Sequence, residues 1–440
     1  MSKKEVLGLM STCRALFNFG LPKLFQRPYK IDPRTLQSFY DFLLFGSPSS
    51  FLSLQDLTVP ASFGGLSITV VIQLINILSK AINLRSLVLL DYTLYKYPTF
   101  YDVIPHLKKL RFLKTGDSMS YQALTSLRSP LVQMSLTTGM NFDPIEALAH
   151  FSDTLQEVSL VNPQISCAGV IYPHVVRLVL TRYNPPLLST LIPIFPNAQE
   201  LIMTTGQAED TKDTYKQCKE RNVKYQKECR QWSPLVSLRT NSGGLFGLAL
   251  QHSLTSLSLL SPIHADEYLD LLEESLKPLH LVYLAITYVP GPDSIQLHRA
   301  IEPTFDTLQR LDLKLDVKLW KKHYQEVAFT AQDHLFQMLK CTRLHTFTCV
   351  IQCPTNKRLR VLTEQIDAEE PLARRAVVCV RTLKNVSFSF TAPNAPAPSP
   401  VVIWEITSLS NGEKQVAKIA DENARHAVEV LFKSVVKVSF

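Results

Sequence analysis

The strongest constraint on this chain is a short apolar pattern that keeps returning. An apolar residue is followed three positions later by a second, and two positions after that by a third. The pattern runs through Leu54, Leu57 and Val59, then Leu84, Leu87 and Leu89, then Leu110, Leu113 and Thr115, then Leu131, Met134 and Leu136. It continues at Leu155, Val158 and Leu160, at Val175, Leu178 and Leu180, and at Ala198, Leu201 and Met203. The second half repeats it at Leu235, Leu238 and Thr240, at Leu254, Leu257 and Leu259, at Leu281, Leu284 and Ile286, and at Leu308, Leu311 and Leu313. Looser copies follow at Leu344, Phe347 and Cys349 and at Leu383, Val386 and Phe388.

The second and third residues of each copy stand two apart. On a helix that spacing separates side chains by about 200° and they cannot share a core. On a strand it places them on one face. Each copy therefore reads as a short strand. Between strands lie segments with helical spacing, such as Val71, Leu74, Ile75, Ile77, Leu78 and Ile82, and the stretch from Ala265 to Leu276. Copy starts lie 19–39 residues apart, most of them near the ~20–29 of a leucine-rich repeat. The expected fold class is α/β: a leucine-rich-repeat solenoid, a right-handed β-α superhelix of the ribonuclease-inhibitor kind, with a short N-terminal helical segment. One repeat of about 25 residues cannot offset ~1–2 kcal/mol of ordering cost per residue with two or three buried side chains at ~1.5–3 kcal/mol each. Neighbours have to stack, and the ends need caps.

Composition fits a folded array: 46% of residues are apolar and 19% charged. Of the formal net charge of +8, residues 1–40 supply seven basic and two acidic side chains, a net +5. That distribution disfavours nucleic-acid wrapping along the whole length and leaves two readings of the N-terminal segment, a contact for an acidic partner or a solvated basic helix. The eight cysteines form no C-x-x-C pair. No secretory leader pattern and no run of ~18 apolar residues is visible, so a reducing compartment, cytoplasm or nucleus, is expected.

Residues 5–30 contain M-S-T-C-R-A-L from Met10 to Leu16 and L-P-K-L-F from Leu21 to Phe25. These resemble the second half of an F-box. With the repeats that follow, and a charged helix leading to Trp232, the layout is similar to the F-box/leucine-rich-repeat proteins of mushroom-forming fungi. The resemblance implies a substrate receptor of a cullin (SCF-like) ubiquitin ligase. Its Skp-type adaptor would be held by Met10, Cys13, Arg14, Leu16, Leu21, Pro22 and Leu24. The L-P-x-E helix that opens an F-box is not seen upstream of Glu5. The alternative is an interaction scaffold that works without the adaptor, with the N-terminal helices serving only to cap the first repeat.

The expected organisation is a partial F-box-like segment or cap at 1–35 and a solenoid at 36–390 with a charged insertion at 207–232. A proline-rich linker at 391–400 and a C-terminal strand and helix cap at 401–440 follow. The insertion has seven basic and five acidic residues and reads as a solvated helix or loop.

Residues between the repeat leucines face away from the core and line the concave face. Partner-binding candidates there are Glu157, Arg177, Glu200, Arg239, Tyr283, Arg310, Asp312 and Lys314, with Tyr183 at a strand exit. Tyr and Arg most often dominate protein interfaces. The expected partner is a protein, the expected state a monomer, and neither nucleic acid nor membrane is expected. No hydrolase, P-loop or zincin motif is present, so no catalytic residue, cofactor or metal ligand is assigned and an enzyme is not expected. Cys349 and Cys353 with His345 lack a fitting fourth ligand and read as core and strand-exit residues.

Overall fold

A computed structural model gives the three-dimensional arrangement. It describes residues 15–16, 20, 23–25, 29–31, 36–45, 49–60, 66–90, 94, 96–116, 121–137, 143–166, 169–184, 186–205, 212–229, 231–232, 235–264, 269–289, 295–316, 335–336, 338–340, 342–352, 369–380, 382–391, 402–408 and 414–418. The chain forms two compact units, Met1–Glu209 and Asp210–Phe440. Both are mixed α/β with mostly parallel sheets.

In the first unit the strands are β1 (Tyr29–Lys30), β2 (Asp56–Val59), β3 (Ser86–Leu89), β4 (Phe112–Thr115), β5 (Gln133–Thr137), β6 (Glu157–Val161), β7 (Arg177–Thr181) and β8 (Glu200–Thr204). Each pairs in parallel with the next, and the register joins like to like. Leu57 lies opposite Leu87, then Leu113, Met134, Val158, Leu178 and Leu201 follow in line. A one-residue slip would turn every one of these side chains to the solvent face. All anchor residues of the thirteen copies are at most 5% exposed.

β1 was not anticipated. Tyr29 stands opposite Leu57, and Ile31, 2% exposed, donates its backbone N–H to Thr58 O at 2.9 Å. The sequence pattern fails there because a half-buried tyrosine replaces the middle leucine.

Repeat length sets what fills each crossover. The 30-residue step from Leu54 to Leu84 accommodates the 13-residue helix Ile68–Lys80. Ser67 caps it, and Val71, Gln73, Leu74, Ile77 and Leu78 are buried beneath it. Ile82, grouped by its spacing with that buried stripe, is 51% exposed because the helix ends at Lys80. Shorter steps hold shorter pieces, from the one-turn Pro98–Tyr101 and Pro144–Ala147 to the seven-residue Leu188–Ile194. The 20-residue step from Leu155 to Val175 has no helix at all among its described residues.

The second unit holds β9 (Ser237–Thr240), β10 (Ser256–Leu259), β11 (Ile263–His264), β12 (Tyr283–Val289), β13 (Arg310–Asp316), β14 (Thr346–Gln352), β15 (Asn385–Thr391), β16 (Val402–Ser408) and β17 (Lys414–Lys418). Leu238, Leu257, Leu284, Leu311, Phe347 and Val386 form one line across parallel strands. β10 and β11 pair in turn with successive parts of β12. β16 reverses direction against β15, and β17 against β16. The apolar run after the prolines thus becomes an antiparallel addition, with Trp404 and Ile406 buried. Residues 392–400 and the helix expected at 421–432 lie outside the described residues.

The charged stretch 207–232 holds a 17-residue helix, Lys212–Glu228, whose Lys216, Glu220 and Lys224 are exposed as expected, while its other face is buried. Its residues Tyr215, Cys218, Asn222 and Gln226 are buried at helical spacing against the helix Ser242–Leu248. Asn222 donates to Gly247 O at 2.8 Å, and Gln226 to Ala249 O at 2.9 Å. Gln226 Oε1 accepts from Gln251 N at 3.0 Å. The helix Ser242–Leu248 ends in a left-handed residue, Ala249 at φ 49°, which leaves terminal carbonyls for these amides. Half of the buried stripe, Asn222 and Gln226, is polar, so apolar periodicity could not reveal it.

Candidate functional site

Alternation along each strand sends every second side chain away from the leucine core. In the first unit Glu157, Arg177 and Glu200 stand side by side on β6, β7 and β8 and are half-buried. Arg177 Nε lies 3.3 Å from Glu200 Oε2. A cross-strand pair exposed to this extent contributes about 0.2–1 kcal/mol, so its main effect is to hold the row in place.

Tyr183 is a correction. It was placed with the ligand-facing residues, but it is 4% exposed. The reason is local: Arg182 takes the left-handed conformation at φ 57°, which breaks the strand's alternation. The next N–H, that of Tyr183, then bonds Thr204 O at 3.0 Å. Asn162, at φ 57°, sits at the same place after β6. Asn tolerates this region at little cost, whereas an arginine there is less common.

The second unit carries the densest polar group on its open sheet face. Tyr283 on β12 stands opposite Arg310 on β13, and Asp312 follows two residues along. The Tyr283 hydroxyl donates to Asp312 Oδ2 at 2.8 Å. Arg310 closes a fork on the same carboxylate, with Nε 3.2 Å from Oδ1 and Nη2 3.0 Å from Oδ2. Its guanidinium carbon lies 5.1 Å from the centre of the Tyr283 ring. Burial and the Asp312 charge push the Tyr283 hydroxyl well above the ordinary tyrosine range, while the positive charges of Arg310 and Arg239 pull the other way. Small residues, Ser256, Ser258 and Ala285, occupy the neighbouring face positions on β10 and β12. They keep the sheet surface low around the ring and the two arginines. Lys314 extends the row along β13 and is half-buried.

The outward rule fails on β14 and β15. Thr348, Ser387 and Ser389 occupy face positions, yet are only 4%, 3% and 2% exposed. The accessible polar row is therefore concentrated on β9 to β13. No sequence signal marks this, because a covered serine and a solvated serine look alike.

Leu24 is buried at 7% exposure, whereas Leu16 is 37% exposed. Phe25, at 1%, packs edge-on to Phe39 and Tyr29 with ring centres 6.1 and 5.8 Å apart. Met10, Cys13, Arg14, Leu21 and Pro22 lie outside the described residues.

On the helical side of the second unit, a cleft of about 400 Å³ opens between the helices Lys212–Glu228, Ser242–Leu248 and Leu269–Leu276. Lys219 spans it, paired with Glu274 and 4.4 Å from the centre of the Phe246 ring. Among the described residues no group of three His, Cys, Asp or Glu side chains is placed to hold a metal ion. Cys349 is fully buried, and its thiol is pushed up to about 12 by burial, which makes it a core residue without nucleophilic character. No described helix is long and apolar enough to cross a membrane.

Comparison with protein-family models and with curated proteins finds no match to this chain.

Proposed function

We propose that the chain is a leucine-rich-repeat solenoid that binds another protein through the open face of its parallel strands. The observation that carries this reading is the braced group of Tyr283, Arg310 and Asp312. Its rings and charges are locked to one another before any partner arrives, so little ordering cost is left for binding. Tyr and Arg held in this way are the residue types that act as interface anchors. Arg239 and Lys314 flank them, and the row Glu157, Arg177, Glu200 offers a second, separate contact in the first unit.

The resemblance of residues 10–25 to an F-box supports a further proposal, that the partner is the substrate of a cullin-type ubiquitin ligase and that the N-terminal segment holds the Skp-type adaptor. Burial of Leu24, and of Phe25 against Tyr29 and Phe39, favours the other reading, an adaptor-independent scaffold in which this segment caps the first strand. Both readings describe a binding protein and not an enzyme.

Two measurements test this. A photo-crosslinking residue at Ala285, introduced into the full chain in cells, captures a defined protein, and Tyr283→Ala with Arg310→Ala abolishes that capture. Capture that survives the double substitution refutes the open-face reading. Titration calorimetry of the full chain with purified Skp-type adaptor decides the N-terminal reading: binding supports the receptor, and its absence leaves the scaffold.

A further inference from the structure

Charge in the first unit is concentrated well beyond the N-terminal segment. Residues 80–130 hold eight lysines and arginines against three acidic residues, a net +5 out of +8 for the whole chain. The fold places most of this charge on one edge. Strands β2 to β5 are parallel, so every turn that leads from a helix into a strand lies on the same side of the sheet. Lys80 ends the helix Ile68–Lys80 and Arg85 directly precedes β3. Lys108, Lys109 and Arg111 precede β4, and Arg128 precedes β5. All six side chains are exposed.

The backbone shows how close they lie. Arg111 N bonds Arg85 O at 2.7 Å, and Val132 N bonds Arg111 O at 2.8 Å. Arg85 and Arg111 therefore start from neighbouring strands, about 4.8 Å apart. Lys109 Nζ reaches back to Asn83 Oδ1 at 2.6 Å, which holds its charge between the two strands. Negative groups nearby are few: Asp56 lies on the open face beside Arg85, and Asp102 is the one acidic residue among the described residues of this stretch.

Like charges on adjacent strands are destabilising. Nothing in the core calls for them, since the anchor residues of these repeats are packed apolar side chains and Thr115. Complementing a helix C-terminus accounts for Lys80 and for Arg128, whose guanidinium bonds Thr125 O at 2.6 Å, but not for Arg85 or Arg111, which stand at strand starts. An anionic ligand does account for them.

We propose that this edge is a docking strip for an acidic, extended polypeptide segment. Arginine forks suit carboxylates, and an extended acidic chain laid across the strands presents one carboxylate after another to the row. A single-stranded nucleic acid fits less well, because such ligands need exposed rings for base stacking. In this repeat Phe100 and Tyr101 are buried, and Tyr97 stands at a strand-to-helix turn and not at this edge, its hydroxyl engaged with Leu66 O at 3.0 Å. Phe112, the first residue of β4, is half-buried on the sheet face, and a single ring does not make a stacking row. The strip is distinct from the open-face site and stands or falls separately from it.

The test is fluorescence anisotropy of a short dye-labelled Glu-Gly repeat peptide titrated with the full chain. Binding is expected, weakening steeply between ~0.05 and ~0.3 M salt as screening shortens the reach of the charges. Arg85→Ser with Arg111→Ser weakens it by about tenfold or more. Lys227→Ser, at an exposed position in the other unit, leaves it unchanged. The double variant removes only exposed side chains, and an unchanged thermal melt shows that it is folded. Three outcomes overturn the proposal: no binding of the peptide, equal binding by the double variant, or tighter binding of a single- or double-stranded oligonucleotide of the same charge.

Discussion

Gly243 makes the packing of the charged helix Lys212–Glu228 open to a direct test. A Cβ added at Gly243 would stand 2.6 Å from Tyr215 Cζ, 2.7 Å from Cε2 and 3.0 Å from the hydroxyl oxygen. These are closer than carbon atoms approach in packed proteins, so the ring or the whole helix has to move. Tyr215 is 5% exposed and has little free space to move into. In an exposed helix, Gly→Ala stabilises by roughly 0.5–1 kcal/mol. Overpacking of one methyl in a close-packed site costs about 1–3 kcal/mol. The expected net effect of Gly243→Ala is a loss of about 1–2 kcal/mol, or roughly 2–8 °C in melting temperature for a unit of this size. Urea unfolding measures the loss, and trypsin sensitivity of Lys216, Lys219 and Lys224 reports whether the helix is unseated. Tyr215→Leu removes the atoms that clash, so the double variant Gly243→Ala with Tyr215→Leu should be more stable than the summed single effects by about 1 kcal/mol. If Gly243→Ala proves as stable as the parent or more so, the helix does not pack here and the account of the insertion is wrong.

Three further outcomes are expected. Asn222→Ala with Gln226→Ala removes the amide donor to Gly247 O and leaves Ala249 O with Gln251 Nε2 alone, about 1–3 kcal/mol for each carbonyl that loses its partner, seen in urea unfolding. Leu113→Ala, at a position 0% exposed in the middle of the first unit's anchor line, costs about 2–5 kcal/mol by the same measurement. The raised Tyr283 hydroxyl contributes stability that is complete below the unfolded-state value near pH ~10 and is lost as pH climbs through the folded-state value. Asp312→Asn removes the charge that helps raise it, so tyrosinate absorbance referenced to Tyr283→Phe should then appear at lower pH. A titration unchanged by Asp312→Asn refutes the Tyr283–Asp312 contact.

The anchor lines were legible because their signal is local. Two side chains two residues apart share a strand face wherever the strand lies, so Leu57, Leu178 or Leu311 could be assigned to the core without knowing the neighbours. The same rule placed Glu157, Arg177, Glu200, Tyr283, Arg310 and Asp312 on the opposite face. It failed where one dihedral angle interrupts the alternation: Arg182 at φ 57° turns Tyr183 inward. It failed again at β1, where Tyr29 takes a leucine's place, and at Thr348, Ser387 and Ser389, which face outward yet are covered.

What the sequence by itself determined is the alternation, and with it the strand type, the inward anchors and the chemical character of the open face. The tertiary structure decided everything that depends on an atom from a distant segment. Asn222 and Gln226 are buried because the carbonyls of Gly247 and Ala249 stand opposite them. The Tyr283 ring is held in place because Asp312 on the next strand accepts the hydrogen bond of its hydroxyl. Arg85 and Arg111, 26 positions apart in the chain, become one charged edge because parallel pairing sets them on adjacent strands. Hydrophobic burial follows from a residue's own side chain and its period, whereas the cost of burying a polar or charged group depends on its partner, and only the fold supplies the partner.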